Sequence, residues 1–151
     1  MTNQQGFTLI ESLVSVAFIA IGFVGVFGLV NVSNDMLHNS IEREHLNDQA
    51  NAIIETLSAD ISGIETYKGK NLAHCGALKP TPGKKEETQF TRMKKWCEKI
   101  QGRLGPAQAG DKRIIHVEYI KEENVYVVAV ELTSRDGKNS SWVKRVFNAP
   151  P

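Results

Sequence analysis

The dominant pattern along the chain is a run of 23 uncharged residues from Ser12 to Asn34, built mainly of Val, Ile, Leu, Phe, Ala and Gly. A helix of that length rises roughly 35 Å, enough to cross a hydrocarbon core of about 30 Å with some tilt. Gly22, Gly25 and Gly28 recur at spacing three inside it, so the helix either packs closely against a neighbour or loosens there. Beyond Asp35 the residues remain compatible with helix but separate into two faces. Leu46, Ala50, Ile53, Leu57, Ile61 and Ile64 fall at spacings of three and four, while Glu42, Arg43, Glu44, Asp48, Glu55 and Asp60 take the other side. No Gly or Pro interrupts this second stretch before Gly63. The pattern predicts one helix from about Phe7 to Ser62, apolar all round in its first half and one-sided in its second.

Between Gly63 and Lys85 lie Gly63, Gly69, Gly76, Pro80, Pro82 and Gly83, the composition of a loop. A second helix is predicted after it. Phe90, Met93, Cys97, Ile100 and Leu104 form its apolar stripe, and Arg92, Lys95, Glu98 and Lys99 lie off that stripe. Glu86 and Glu87 fall in its first turn, where the helix dipole favours them, and Gly102 with Gly105-Pro106 ends it. The period then switches to two. Ile115, Val117 and Tyr119 face one way in one strand, and Tyr126, Val128, Val130 and Leu132 do so in the next, with Lys121-Glu122-Glu123-Asn124 as the turn between them. Asp136-Gly137 marks another turn, and Ser141 to Phe147 a third strand. The predicted fold class is α+β: a long N-terminal helix, membrane half plus amphipathic half, packed against a small antiparallel three-stranded sheet with a second short helix.

Charge placement sharpens the division. Glu11 is the only charge before Asp35, so all 18 Lys and Arg and 16 of the 17 acidic residues lie in the remainder. A length of 151 residues leaves room for one ordinary domain plus an appendage and excludes a large multidomain enzyme. A net charge of +1 gives no electrostatic reason to expect nucleic acid as the main partner. A conventional secretory signal needs a basic n-region, a short apolar stretch and a small-residue cleavage site. Here Met1 to Gly6 contains no Lys or Arg, and the apolar run ends in Val30-Asn31-Val32-Ser33-Asn34-Asp35. A retained helix is the expectation.

The polar head Met1 to Gln5 ends at Gly6, and Phe7-Thr8-Leu9-Ile10-Glu11-Ser12-Leu13-Val14 follows. This stretch resembles the type IV prepilin signature. The run Ile19 to Leu29, together with a helix containing Phe90 and Trp96 that breaks at Leu104-Gly105-Pro106, is similar to the PilV-type minor pilins. The resemblance implies a prepilin leader at 1–6, a transmembrane and polymerisation helix at 7–34, and a periplasmic pilin head at 35–151 that includes the amphipathic half of the helix. It further implies cleavage between Gly6 and Phe7 by the prepilin peptidase, N-methylation at Phe7, and an assembly role for Glu11. On the same resemblance the protein is a non-enzymatic minor pilin of a type IV pilus that helps initiate assembly and enters the filament or its tip. It would be single-pass in the bacterial inner membrane before assembly, with its head in the periplasm, and extracellular in the pilus afterwards. The implied partners are other minor and major pilins, the prepilin peptidase and the inner-membrane pilus assembly machinery, with no cofactor. Two further readings share the N-terminal chemistry: a minor pseudopilin of a type II secretion system, and a DNA-binding or adhesive minor pilin. A membrane-tethered enzyme lacks support, because no Gly-x-Ser-x-Gly, His-Glu-x-x-His or phosphate loop is present.

Glu11 is the chemically demanding residue. A carboxylate inside a membrane helix costs on the order of 2.5 to 3.5 kcal/mol on insertion scales, so such groups have partners or tasks. Cleavage after Gly6 would create a counter-charge, the α-amine of Phe7, and a single methyl group leaves that amine cationic. Its ordinary pKa of about 7.7 to 8.0 keeps it mostly charged at neutral pH. Glu11 lies four residues on, so the pair could close within one chain or between staggered neighbours. The plainer reading is a Glu stabilised by the helix dipole alone.

Cys75 and Cys97 both fall in the part that the resemblance places outside the cytoplasm, where disulfides persist. A bridge would pin the Gly- and Pro-rich loop to the second helix. The competing readings are a free core thiol at Cys97 and a thiol redox site, the latter without a Cys-x-x-Cys. His74 beside Cys75 has no second ligand pair at zinc spacing, so no metal is expected. His38 and His45 read as a solvated face. Lys84-Lys85 and Lys94-Lys95 form a modest basic cluster that Glu86, Glu87 and Glu98 dilute, an ordinary surface in preference to a DNA site.

Overall fold

The computed structural model describes residues 8–134 and 137–150. The chain divides into two compact units, Met1–Ser40 and Ile41–Pro151. Helix α1, Leu9–Ser58, supplies the described helical part of the first unit and the opening element of the second. It runs unbroken through Gly22, Gly25 and Gly28, and the side chains from Leu9 to Leu37 are exposed throughout.

In the second unit the one-sided pattern decides the packing. Leu46, Ala50, Ile53 and Leu57 are buried, and Ile54 and Gln49 join them because neighbouring segments cover more than one helical stripe. The helix ends four residues earlier than its apolar period suggests. After Ser58 the chain turns at Asp60 and continues as a 3-10 segment, Ile61–Tyr67, in which Ile64 and Tyr67 are buried and Ile61 only half-buried. Asp60 belongs to no solvated face: its side chain is 15% exposed and pairs with Arg92. Gly63 leaves room beside it: a Cβ there would lie 2.5 Å from Gln89 Nε2 and 3.0 Å from Asp60 Oδ1, so these side chains would have to shift.

Helix α2, Glu87–Leu104, buries Met93, Cys97 and Ile100. It continues through Gly102 and stops at Gly105, whose φ of 78° favours glycine and whose N–H donates to the Gln101 carbonyl at 2.8 Å. The sheet has four antiparallel strands in the order β1-β2-β3-β4, one more than the alternation predicts. The addition is β1, Lys70–Asn71, too short to show a period. Strands β2 (Arg113–Ile120), β3 (Val125–Thr133) and β4 (Ser140–Asn148) form the predicted meander, with registers from Arg113↔Leu132 to Ile120↔Val125 and from Val125↔Asn148 to Thr133↔Ser140. Ile115, Val117, Val128, Val130 and Leu132 close the core over α1 and α2. Tyr119 shares their face but lies past the edge of the core, half-exposed, with its ring 4.9 Å from that of Tyr126. Arg113 is fully buried at the end of β2, where burial lowers its pKa and the nearby Asp111 opposes the shift.

Candidate functional site

The N-terminal candidates divide between the described residues and those outside them. Gly6 and Phe7 lie outside the described residues. Glu11 falls in the first turn of α1, exposed. Thr8-Leu9-Ile10-Glu11 has the spacing of a helix-capping sequence. The Glu11 N–H approaches Thr8 Oγ1 at 3.4 Å and donates to the Thr8 carbonyl at 3.1 Å, while Ser15 Oγ donates to the Glu11 carbonyl at 2.8 Å. The backbone around Glu11 is therefore satisfied locally, and these bonds do not use its carboxylate. No cation pairs with that carboxylate among the described residues.

Apart from Thr8, Ser12 and Ser15, the described helix surface around Glu11 is apolar. Leu9, Ile10, Leu13, Val14, Val16, Phe18 and Ile19 are each about half or more exposed, and the pattern continues to Leu37. A surface of this extent is not tolerated in water and needs lipid or protein around it. Helix α1 is long and apolar enough to cross a membrane, by length and composition. Added Cβ atoms at Gly22, Gly25 and Gly28 would meet nothing within 4 Å, so these glycines leave the helix surface open there.

Residues 1–27 match the family model described as the prokaryotic N-terminal methylation motif. The chain carries a prepilin motif. That motif supports placement in the type IV pilin superfamily, as a pilin-like or pseudopilin-like prepilin, and its family is one of structural subunits, not enzymes. The prepilin motif and the long apolar helix together fit a membrane-anchored subunit that works with other pilus components and the membrane assembly machinery. No curated protein and no solved structure matches the chain.

In the second unit Cys75 and Cys97 are joined by a disulfide, with Cα atoms 5.4 Å apart and a sequence separation of 22. Cys75 sits in a short 3-10 turn, Cys75–Ala77, and Cys97 in the buried stripe of α2, so the bridge fixes the loop to the core. A double Cys75→Ser, Cys97→Ser variant should unfold about 3 kcal/mol more easily, the loop-closure entropy for a ring of this size. Denaturant unfolding of the full chain in detergent would measure it, and reduction of the wild type should give the same loss. An unchanged midpoint would show that the loop stays docked without the bridge.

The remaining polar candidates separate in space. Among the described residues no three His, Cys, Asp or Glu side chains gather as metal ligands. His45 Nδ1 faces Arg103 Nη1 at 3.1 Å, so the guanidinium donates to an unprotonated ring nitrogen. Lys94 pairs with Glu98 at 3.9 Å, and Lys84 shares a shallow depression with Lys79, Glu86, Glu87 and Phe90, a mixed-charge surface.

One polar cluster escaped the periodicity. Asp60 Oδ2 accepts hydrogen bonds from Arg92 Nη1 at 2.6 Å, Tyr67 Oη at 2.9 Å and Gln89 Nε2 at 3.1 Å. It joins the end of α1, the 3-10 segment and α2. The Tyr67 phenol is pushed up to about 12, first by burial; Arg92 opposes this, and the Asp60 charge adds to it. The only sequence signal was an Asp followed three residues later by Gly at the end of a helix.

Proposed function

We propose that the chain is a minor pilin of a type IV pilus, of the PilV-like kind. It is cut between Gly6 and Phe7, methylated on Phe7, held in the inner membrane by residues 7–34 and incorporated at or near the filament tip. The observation that carries the reading is the N-terminal methylation motif over residues 1–27, continued into an apolar helix whose one charge before Asp35 is Glu11. The lone acid is costly in lipid and becomes useful once a cationic terminus can meet it. The α+β head, 35–151, with its disulfide, suits a domain working in an oxidising compartment and presenting surfaces to neighbouring subunits.

Mass spectrometry of the mature N-terminus tests the processing directly. The expected result is a chain beginning at Phe7 with one added methyl group when the prepilin peptidase is present, and at Met1 when it is absent. A chain that begins at Met1 in both cases, or that is trimmed downstream of the apolar helix, would remove the prepilin reading.

A further inference from the structure

Strand β4 forms one edge of the sheet, and the hydrogen-bond parity shows which of its backbone groups are unused. The carbonyls of Ile115 and Arg113 accept from Gly69 and Leu72, so odd-numbered residues of β2 point towards β1. Even-numbered residues of β2 then bond to β3, in agreement with Thr133 donating to the Lys112 carbonyl. Through the registers Ile114↔Glu131 and Val130↔Val143, the odd-numbered residues of β4 face β3. The Ala149 N–H donating to the Asn124 carbonyl continues this parity. Ser140, Trp142, Lys144, Val146 and Asn148 therefore turn their N–H and C=O groups away from the sheet. Among the described residues none of these groups finds a backbone partner on that side.

A bare nine-residue edge is a template for another strand, and proteins blunt such edges selectively. Here the blunting is one-sided in charge. β4 carries Lys144 and Arg145, both exposed, and no carboxylate. Neither cation is in an ion pair among the described residues. Two copies of β4 pairing antiparallel about the strand centre would set Lys144 against Lys144, which like-charge repulsion opposes. An acidic strand meets no such penalty. Trp142 and Val146, each 57% exposed on the outer face, flank Lys144 and offer apolar contacts at spacing two. Trp142 is held over that face by stacking on His116, with ring centroids 5.2 Å apart, and so leaves the edge clear.

We propose that the β4 edge is a docking strand for an extended acidic segment of another protein chain. The segment adds beside β4 as a further strand, with carboxylates against Lys144 and Arg145 and alternate apolar side chains against Trp142 and Val146. The proposal rests on the sheet alone and involves none of residues 1–40, so it fails or survives separately from the prepilin reading.

The test uses the full chain in detergent micelles and two nine-residue peptides, one centred on Val-Glu-Glu-Thr-Val, which sets Val against Val146 and Trp142 and Glu against Arg145 and Lys144, and one with Lys in place of both Glu. The acidic peptide should slow amide exchange at Trp142, Lys144 and Val146 by about tenfold or more, and the basic peptide should not. Lys144→Pro removes one outward N–H and leaves the ladder to β3 intact. It should keep the unfolding transition and weaken the acidic peptide by about tenfold. The double variant Lys144→Glu, Arg145→Glu is expected to reverse the preference towards the basic peptide, and it decides the matter if the proline variant does not fold. Equal protection by both peptides, protection confined to other strands, or full affinity in a folded Lys144→Pro chain would overturn the proposal. So would protection of β4 through self-association without peptide, since the occupant would then be a second copy.

Discussion

Replacing Glu11 with Ala should leave the protein membrane-bound and cut after Gly6, yet reduce its recovery in sheared filaments by about tenfold or more. The reason lies in how the carboxylate is placed. Its own helix satisfies the backbone around it through Thr8 and Ser15, and beyond these and Ser12 the neighbouring side chains are apolar and exposed. Removing the charge therefore costs the isolated chain almost nothing and lowers the penalty of residing in lipid. On the proposed docking role it removes a contact with a cationic terminus, and one such contact in a weakly screened setting exceeds the roughly 1.4 kcal/mol that corresponds to tenfold. Glu11→Gln separates this from helix capping, because it keeps the shape and hydrogen-bonding capacity while losing the charge. If docking depends on charge, Gln behaves like Ala; if Glu11 only supports the first turn, Gln behaves like the wild type. Quantifying the protein in sheared filaments against the membrane fraction checks all three chains, and normal recovery of the Ala variant would end the docking role.

The contrast between Glu11 and Asp60 shows which parts of this molecule can be read from its residues. Long-period features were legible: the uncharged run, the stripe Leu46, Ala50, Ile53 and Leu57, the start of α2 near Glu86 and Glu87, and the three-strand meander, with Ile115, Val117, Val128, Val130 and Leu132 of its two alternating strands in the core. These rest on repeated apolar positions, each a small vote for the same element. Apart from the Cys75–Cys97 bridge, features set by one contact between distant segments were not legible. Asp60 looked like the solvent face of a helix, yet three donors from Tyr67, Gln89 and Arg92 draw it inward and end α1. Arg113, next to Lys112 in an apparently charged stretch, is fully buried because the loop carbonyl of Gly105 and Asp111 lie beside it. β1 exists only because Lys70 and Asn71 meet Ile115 and Ile114. The N-terminal motif stood out for another reason: it is linear, a short ordered string of residue types that is legible before any fold is known.

Asp60→Ala should destabilise the second unit by roughly 4 kcal/mol, more than loss of the disulfide. The carboxylate accepts three side-chain hydrogen bonds, one of them from the Arg92 guanidinium at 2.6 Å, and its side chain is only 15% exposed. Bonds to a charged acceptor contribute about 1.5 to 3 kcal/mol each where they are buried, and Arg92, 36% exposed, takes the lower end of that range. Deletion leaves the O–H of the fully buried Tyr67 without its acceptor, although its oxygen still accepts from Arg92 Nη1 at 3.3 Å, and leaves Gln89 to find another acceptor. Asp60→Asn retains one acceptor oxygen and should cost about half as much. Glu55→Ala, an exposed acid in the last turn of α1, should change stability by no more than about 0.5 kcal/mol. The cluster also sets an alkaline limit. Since the Tyr67 phenol is pushed up to about 12 from an ordinary 10, folding favours its protonated form. That contribution is complete below pH 10 and is lost as the pH rises through 12. Tyr67→Phe should remove this part of the pH dependence while leaving Asp60 paired with Arg92. Denaturant unfolding of the four chains at pH 7 and again across pH 9 to 12 measures both effects. A loss below about 1 kcal/mol for Asp60→Ala would mean that water replaces the carboxylate and that the end of α1 is held by its apolar stripe alone.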